Sequence, residues 1–145
     1  MDSLNALVRL AGESDSKAIQ GLSSYLGYAP YSAAQSGSWI SDILHSDSDR
    51  LWVFVDNRKI CGWIHALLAL RVASPPFVEI AGLVVLPDFR RRGIGARLVA
   101  EAAGWAQSKN VKIRVRCNAT RAKAHEFYEN TGFLNVKTQY VFEKS

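Results

Sequence analysis

The sequence predicts a mixed α/β domain built around one central sheet, and three stretches carry that prediction. Phe77 to Leu86 is an apolar, β-branched run of strand length, closed by Pro87-Asp88. A basic, glycine-bearing turn follows, then a helical pattern. Leu51 to Val55 and Ile60 to Val72 are strand-like runs joined by Asp56-Asn57-Arg58-Lys59, a turn of hairpin type. Lys112 to Cys117 alternates charged and apolar residues, which gives a strand with one apolar face. Hairpins thus occupy the first half and a strand-helix-strand crossover lies near the end, a combination that one shared sheet accommodates.

Taken in order, Ala6 to Ala11 is the first strand. Ser14 to Gly27 is a helix with Ile19, Leu22, Leu26 and Tyr25 inward, broken by Tyr28-Ala29-Pro30. Ser32 to His45 is a second helix, containing Gly37, whose inner face is Trp39, Ile40, Ile43 and Leu44. Asp47-Ser48-Asp49 forms a loop. In the long strand Ile60 to Val72, Gly62 marks a bend or bulge. Ser74-Pro75-Pro76 forbids regular structure. The central helix buries Ile94, Leu98, Ala102 and Trp105, spaced by three and four. Thr120 to Thr131 is the last helix, with Ala124, Phe127 and Tyr128 at helical spacing and Gly132 as its left-handed cap. Phe133 to Glu143 supplies one or two final strands. There are no repeats or linkers, so residues 1–145 read as a single domain.

The net charge is +5, which fits an acidic ligand, nucleic acid included. No charge block exceeds Arg90-Arg91-Arg92, so there is no basic tail. Cys61 and Cys117 are the only cysteines and read as buried free thiols. Met1 to Leu10 holds Asp2 and no long apolar core, and Ile60 to Leu70 is too short to span a bilayer. A cytoplasmic location is expected.

The turn Arg90-Arg91-Arg92-Gly93-Ile94-Gly95 reads as an anion site. The first amides of a helix lack internal acceptors, and the helix dipole favours negative charge there. Glycines allow an anion close to the backbone. The dinucleotide fingerprint is excluded because Leu98 stands where its third glycine belongs, and the P-loop because no Gly-Lys pair occurs. What remains is R-x-x-G-x-G between a strand and a helix. It resembles the pyrophosphate signature of the GCN5-related N-acetyltransferases (GNAT), and the order of elements is similar to that fold over nearly the whole chain. The resemblance implies a central, mostly antiparallel sheet with splayed parallel strands 4 and 5 and flanking helices. It implies acetyl-CoA as cosubstrate, with Leu83, Val84 and Val85 offering backbone groups to the pantetheine arm. Arg90 and the stretch Arg91, Arg92, Gly93, Ile94, Gly95 and Ala96 would cradle the pyrophosphate.

A second match is Asn118…Tyr128…Gly132-Phe133. The family pattern implies that Asn118 bonds the pantetheine arm or a water and that Tyr128 protonates the leaving thiolate. Otherwise Asn118 is a helix-capping residue and Tyr128 a core aromatic like its neighbour Phe127. Glu79 lies inside an apolar strand, where an unpaired carboxylate is costly. On simple alternation it shares a face with Ala81, Leu83 and Val85. Its position corresponds to the general base of the family's histone acetyltransferases; the alternative is a strand-end ion pair, for example with Arg71. His65 reads as a satisfied polar residue or a lining of the acceptor pocket, and no histidine is given a catalytic role. No metal site is expected.

The expected activity is acetyl transfer from acetyl-CoA to a primary amine by direct attack. A small-molecule acceptor is favoured over a protein N-terminus or lysine. Tyr28, Tyr31, Trp39, Asp42, Asp47 and Asp49 would suit a cationic amine, with no membrane partner and a homodimer as a family-level expectation. The reading from another class is a small basic module gripping nucleic acid through Arg90-Arg91-Arg92, Lys112, Arg114 and Arg116. It lacks the interleaved aromatics that stacking on bases requires.

Overall fold

The computed structural model describes residues 6–27 and 31–145. Tyr28-Ala29-Pro30, the expected helix break, lies outside the described residues, as does Asp2. The chain forms two compact units, Met1–Val115 and Arg116–Ser145.

In the first unit the hairpin turn works as its residues dictate. Asn57 and Arg58 both adopt positive φ, 51° and 68°, the backbone that lets two twisted strands join tightly. It links β2 (Asp49–Asp56) to β3 (Lys59–Ala69). With β1 (Leu7–Leu10), β4 (Phe77–Val85) and β5 (Lys112–Val115) they form one sheet in chain order. Pairs β1 to β4 are antiparallel, and β5 runs parallel to β4. The mixed α/β class with parallel fourth and fifth strands is therefore as expected.

Helices cover both faces. α1 (Ser16–Ser23), extended by 3-10 turns Glu13–Asp15 and Ser24–Leu26, and α2 (Ala33–Leu44) pack Ile19, Leu22 and Ile40 against Leu51, Val53, Val55, Trp63 and Val84. Ser32 caps α2 in a reciprocal box with Gln35. α3 (Ile94–Ser108) covers the face of opposite parity, where Trp105 meets Trp52 edge-on, their ring centres 6.1 Å apart. Leu98 is fully buried there. Trp39 departs from expectation. It is exposed and stacks edge-on with Tyr31 at 4.9 Å, while Ile40, Ile43 and Leu44 of the expected inner face pack against the core.

Two register shifts shape the sheet. One separates Phe54↔Gly62 from Val55↔Ile60, so the bulge expected at Gly62 is present. A Cβ on Gly62 would sit 2.9 Å from the Val84 carbonyl oxygen, so glycine lets the strands close there. The other separates His65↔Gly82 from Ala66↔Ile80 and leaves Ala81 as the extra residue of β4. This second bulge corrects the alternation expected for Glu79. Beyond an inserted residue the parity inverts, so Glu79 shares its face with Gly82 and Val84, not with Leu83 and Val85.

In the second unit, α4 (Ala122–Asn130) ends at Gly132 with φ 98°, the left-handed closure predicted. No strand follows it, contrary to the expected pairing of Phe133 to Glu143. A strand exists only through a partner. Here Leu134, Val136, Tyr140, Val141 and Phe142 are all exposed.

Candidate active site

The anion turn keeps the features its residues require. Pro87–Phe89 makes one 3-10 turn, after which Arg91 (φ 63°) and Gly93 (φ 76°) adopt left-handed backbone. Left-handed Gly93 followed by right-handed Ile94 turns neighbouring N–H groups to one side, a concave nest suited to an anion. Gly93 is the N-cap of α3 and offers no side-chain oxygen, and the first turn holds no acidic residue. The first intrahelical bond is Arg97 N–H to Gly93 O, 3.0 Å, so the amides of Ile94, Gly95 and Ala96 precede the helix's own ladder. A Cβ on Gly93 would meet nothing within 4 Å, so the turn opens to solvent. The arginines are positioned rather than loose. Arg90 donates from Nε to the Val85 carbonyl at 3.0 Å, and Arg92 lies 4.8 Å over the Phe89 ring.

β4 delivers an open backbone edge to that turn. Its pairing with β5 runs from Phe77↔Lys112 to Ile80↔Val115 and stops, while β4 continues to Val85. Leu86 N–H donates to Cys61 O at 2.7 Å, which fixes the hydrogen-bonding phase of the β3–β4 ladder. Antiparallel ladders alternate bonded and non-bonded pairs. Trp63↔Val84 and His65↔Gly82 are therefore the bonded pairs, and Leu83 and Val85 turn their backbone groups away from β3. Those are the residues the sequence singles out for the pantetheine arm. Val84, grouped with them, bonds inward to β3 and has its side chain buried in the core.

Glu79 is half-buried on the α1–α2 face, in register with Leu67 on β3 and Arg114 on β5. Arg71, its suggested partner, instead lies over the Phe77 ring at 5.4 Å, and Arg114 covers the same ring at 4.5 Å.

Asn118 and Tyr128 belong to the second unit. The Asn118 side-chain oxygen accepts from Thr120 N at 3.0 Å and Thr120 Oγ1 at 2.8 Å, a local turn that leads into α4, while Arg121 is the N-cap. Tyr128 packs edge-on between Phe127 and Phe133, at 5.0 and 5.5 Å. Burial, helped by the nearby Cys117 and opposed by Arg121, pushes its hydroxyl up to about 12. That hydroxyl makes no hydrogen bond among the described residues. The ring thus packs as a core aromatic does, while its hydroxyl has no protein partner among the described residues.

Of the expected acceptor residues, Tyr31, Trp39, Asp42 and Asp47 are exposed; Tyr28 lies outside the described residues. Asp49 is not available. Its Oδ1 is 2.6 Å from His65 Nε2 and its Oδ2 accepts from Ser46 Oγ at 2.6 Å. The sequence shows no sign of this pair, because His65 and Asp49 meet only through the β2–β3 register. Among the described residues no group of three His, Cys, Asp or Glu side chains is arranged to hold a metal. Nor is any helix among them long and apolar enough to cross a membrane.

The family model described as the acetyltransferase (GNAT) family matches residues 18–133. Among solved structures, aminoglycoside N-acetyltransferase AAC(6')-Iy with a CoA bisubstrate analogue is similar at a TM-score of 0.86 and 19% identity, over 97% of this chain and 98% of that one. The apo aminoglycoside 6'-N-acetyltransferase AAC(6')-IG of Acinetobacter haemolyticus gives 0.84 and 17%, over 96% and 98%. A putative acetyltransferase from Agrobacterium tumefaciens gives 0.84 and 25%, over 95% and 99%. No curated protein matches the chain.

Proposed function

The chain belongs to the GNAT acetyltransferase family and uses acetyl-CoA as its acetyl donor, and we propose that it acetylates a primary amine of a small molecule by direct attack, without an acyl-enzyme. One observation carries the reading: the edge of β4 at Leu83 and Val85, left unpaired by β5 and bonded, among the described residues, only at the Val85 carbonyl by Arg90 Nε, leads into the turn whose nest opens at Gly93 and Ile94. The edge suits an amide-bearing arm that pairs as a strand would, and the nest suits its pyrophosphate.

In this mechanism the neutral amine attacks the thioester carbonyl. Backbone N–H groups of the β4 edge polarise that carbonyl, so charge developing on oxygen meets fixed dipoles. Glu79, directly or through water, takes a proton from the nitrogen, and Tyr128 protonates the departing thiolate. A hydroxyl held near 12 stays protonated at neutral pH, as a donor must. The family match over residues 18–133 supports reading the chain as one acetyltransferase domain.

The acceptor class draws on the exposed Tyr31–Trp39 pair with Asp42 and Asp47, aromatic faces and carboxylates that attract cations. The aminoglycoside acetyltransferases among the similar structures point the same way. The two free cysteines fit the reducing cytoplasm. A homodimer through the tail fits the exposed Leu134, Val136, Tyr140 and Phe142. Coenzyme A release is the test, with neamine, spermidine and a lysine peptide as acceptors. Turnover on the first two above the peptide supports the reading; turnover on the peptide alone overturns the acceptor class.

A further inference from the structure

Acetylating an ammonium requires two protons to leave the same nitrogen. The C–N bond forms, the C–S bond breaks, one proton ends on sulfur and the other goes to solvent. Glu79 and Tyr128 account for the attack and the departure, and neither accounts for the deprotonation that first makes the amine a nucleophile. We propose that His65, held by Asp49, performs this step, accepting the ammonium proton at Nδ1 and passing it to water; the proposal rests on the acetyl-transfer reading above.

The geometry defines the proton positions. Asp49 is mostly buried, which alone would favour its neutral form. Hydrogen bonds from Ser46 and His65, the His65 charge and Ser48 together outweigh that and hold it below the usual carboxylate range. An ionised carboxylate only accepts, so at 2.6 Å His65 Nε2 must be the donor. Neutral His65 then carries its lone pair on Nδ1. That atom has no partner among the described residues, and the side chain keeps 17% of its surface exposed. A carboxylate that fixes the tautomer and steadies the imidazolium is the arrangement that makes a histidine an effective base.

Position supports the role. His65 pairs with Gly82, one residue before Leu83, whose backbone faces the open edge. Gly82 carries no side chain, and the bulge at Ala81 sets Glu79 on the same face as His65. Among the described residues, three charged groups lie beside His65 on its face of the sheet. Asp49 comes from β2, and Glu79 from β4 with Arg114 in register beside it. α1 and α2 turn Ile19, Leu22 and Ile40 toward the sheet and keep Lys17 and Asp42 exposed.

Two measurements test this. Long-range proton–nitrogen NMR of wild-type protein should show neutral His65 protonated at Nε2, with the preference lost in Asp49→Asn; a proton on Nδ1 in the wild type would overturn the proposal. The second is kcat/KM for the fastest acceptor of the panel against pH, at saturating acetyl-CoA. His65→Gln, which can still donate to Asp49, should fall about 10²-fold near pH 7 and approach wild type as rising pH deprotonates the amine in solution. Asp49→Asn should show the same recovery from a smaller loss. An equal loss at every pH, or none, would contradict it. An unchanged thermal shift with acetyl-CoA in His65→Gln confirms an intact fold. If Glu79→Gln is silent while His65→Gln behaves as described, the role of Glu79 fails and that of His65 stands. If no amine turns over in the wild type, the acetyl-transfer reading itself fails.

Discussion

At the residue scale, the chemistry divides between groups whose environments differ. Replacing Glu79 with Gln keeps the shape and removes a proton acceptor. Turnover should fall by about 10²-fold with acetyl-CoA affinity nearly unchanged, as steady-state kinetics with varied acetyl-CoA would show. Tyr128→Phe removes only a hydroxyl that bonds to nothing described, so its melting temperature should match wild type while turnover drops by about 10- to 10³-fold. The pH dependence follows from the direction of the shift. A phenol raised from 10.0 to about 12 favours its neutral form in the folded protein. Its contribution to stability is full below pH 10 and is lost as pH rises toward 12, and a basic limb due to Tyr128 belongs at that upper end. Melting temperatures from pH 8 to 11.5 should fall less steeply in Tyr128→Phe. Two of the proposed site residues carried a signal in the sequence. Glu79 stood out as a carboxylate in an apolar strand, and Tyr128 by its spacing to Gly132-Phe133. The pairing of His65 with Asp49 was not legible. The two are sixteen positions apart and meet only once β2 and β3 take their register.

At the scale of elements, the site depends on two irregularities in otherwise ordinary strands. The bulge at Ala81 decides which side chains accompany Glu79, and its one sign in the sequence is Gly82 beside it, which simple alternation passes over. Gly62 gave the same kind of signal, because glycine weakens a strand unless close approach requires it. Its missing Cβ admits the Val84 carbonyl, with Leu98 of α3 also close at 3.3 Å. Gly62→Ala should therefore push β3 from β4 or α3 and cost about 1–3 kcal/mol in chemical denaturation, an overpacking penalty. Because Val84 adjoins both Leu83 and Val85, the variant should also weaken acetyl-CoA binding, which an exposed helix glycine such as Gly104, with nothing within 4 Å, should not. The strand, turn and helix from Phe77 to Ala106 were legible nearly to the residue. There the apolar period changes from two to 3.6 across Pro87 and the arginines, and each signal agrees with its neighbour. The tail after Gly132 was misread, because alternation marks a strand only where a partner waits, and Leu134 to Phe142 meet none.

At the scale of the whole molecule, the account requires the cofactor to bind where β4's open edge runs into the nest before α3. A ligand that binds only the folded state raises stability by linkage. At about 100 times its Kd the gain is about 2.7 kcal/mol, and a chain of this size should melt roughly 5–10 °C higher. The decisive measurement is the thermal shift produced by saturating acetyl-CoA in wild type and in Gly93→Asp, with pantetheine as the control that lacks the pyrophosphate. Aspartate there places a negative charge and a side chain in the space that Gly93 leaves open, at a backbone φ of 76°. The account predicts a clear shift for wild type with acetyl-CoA, little with pantetheine, and none for Gly93→Asp. An equal acetyl-CoA shift in Gly93→Asp, or no shift in wild type, would contradict it.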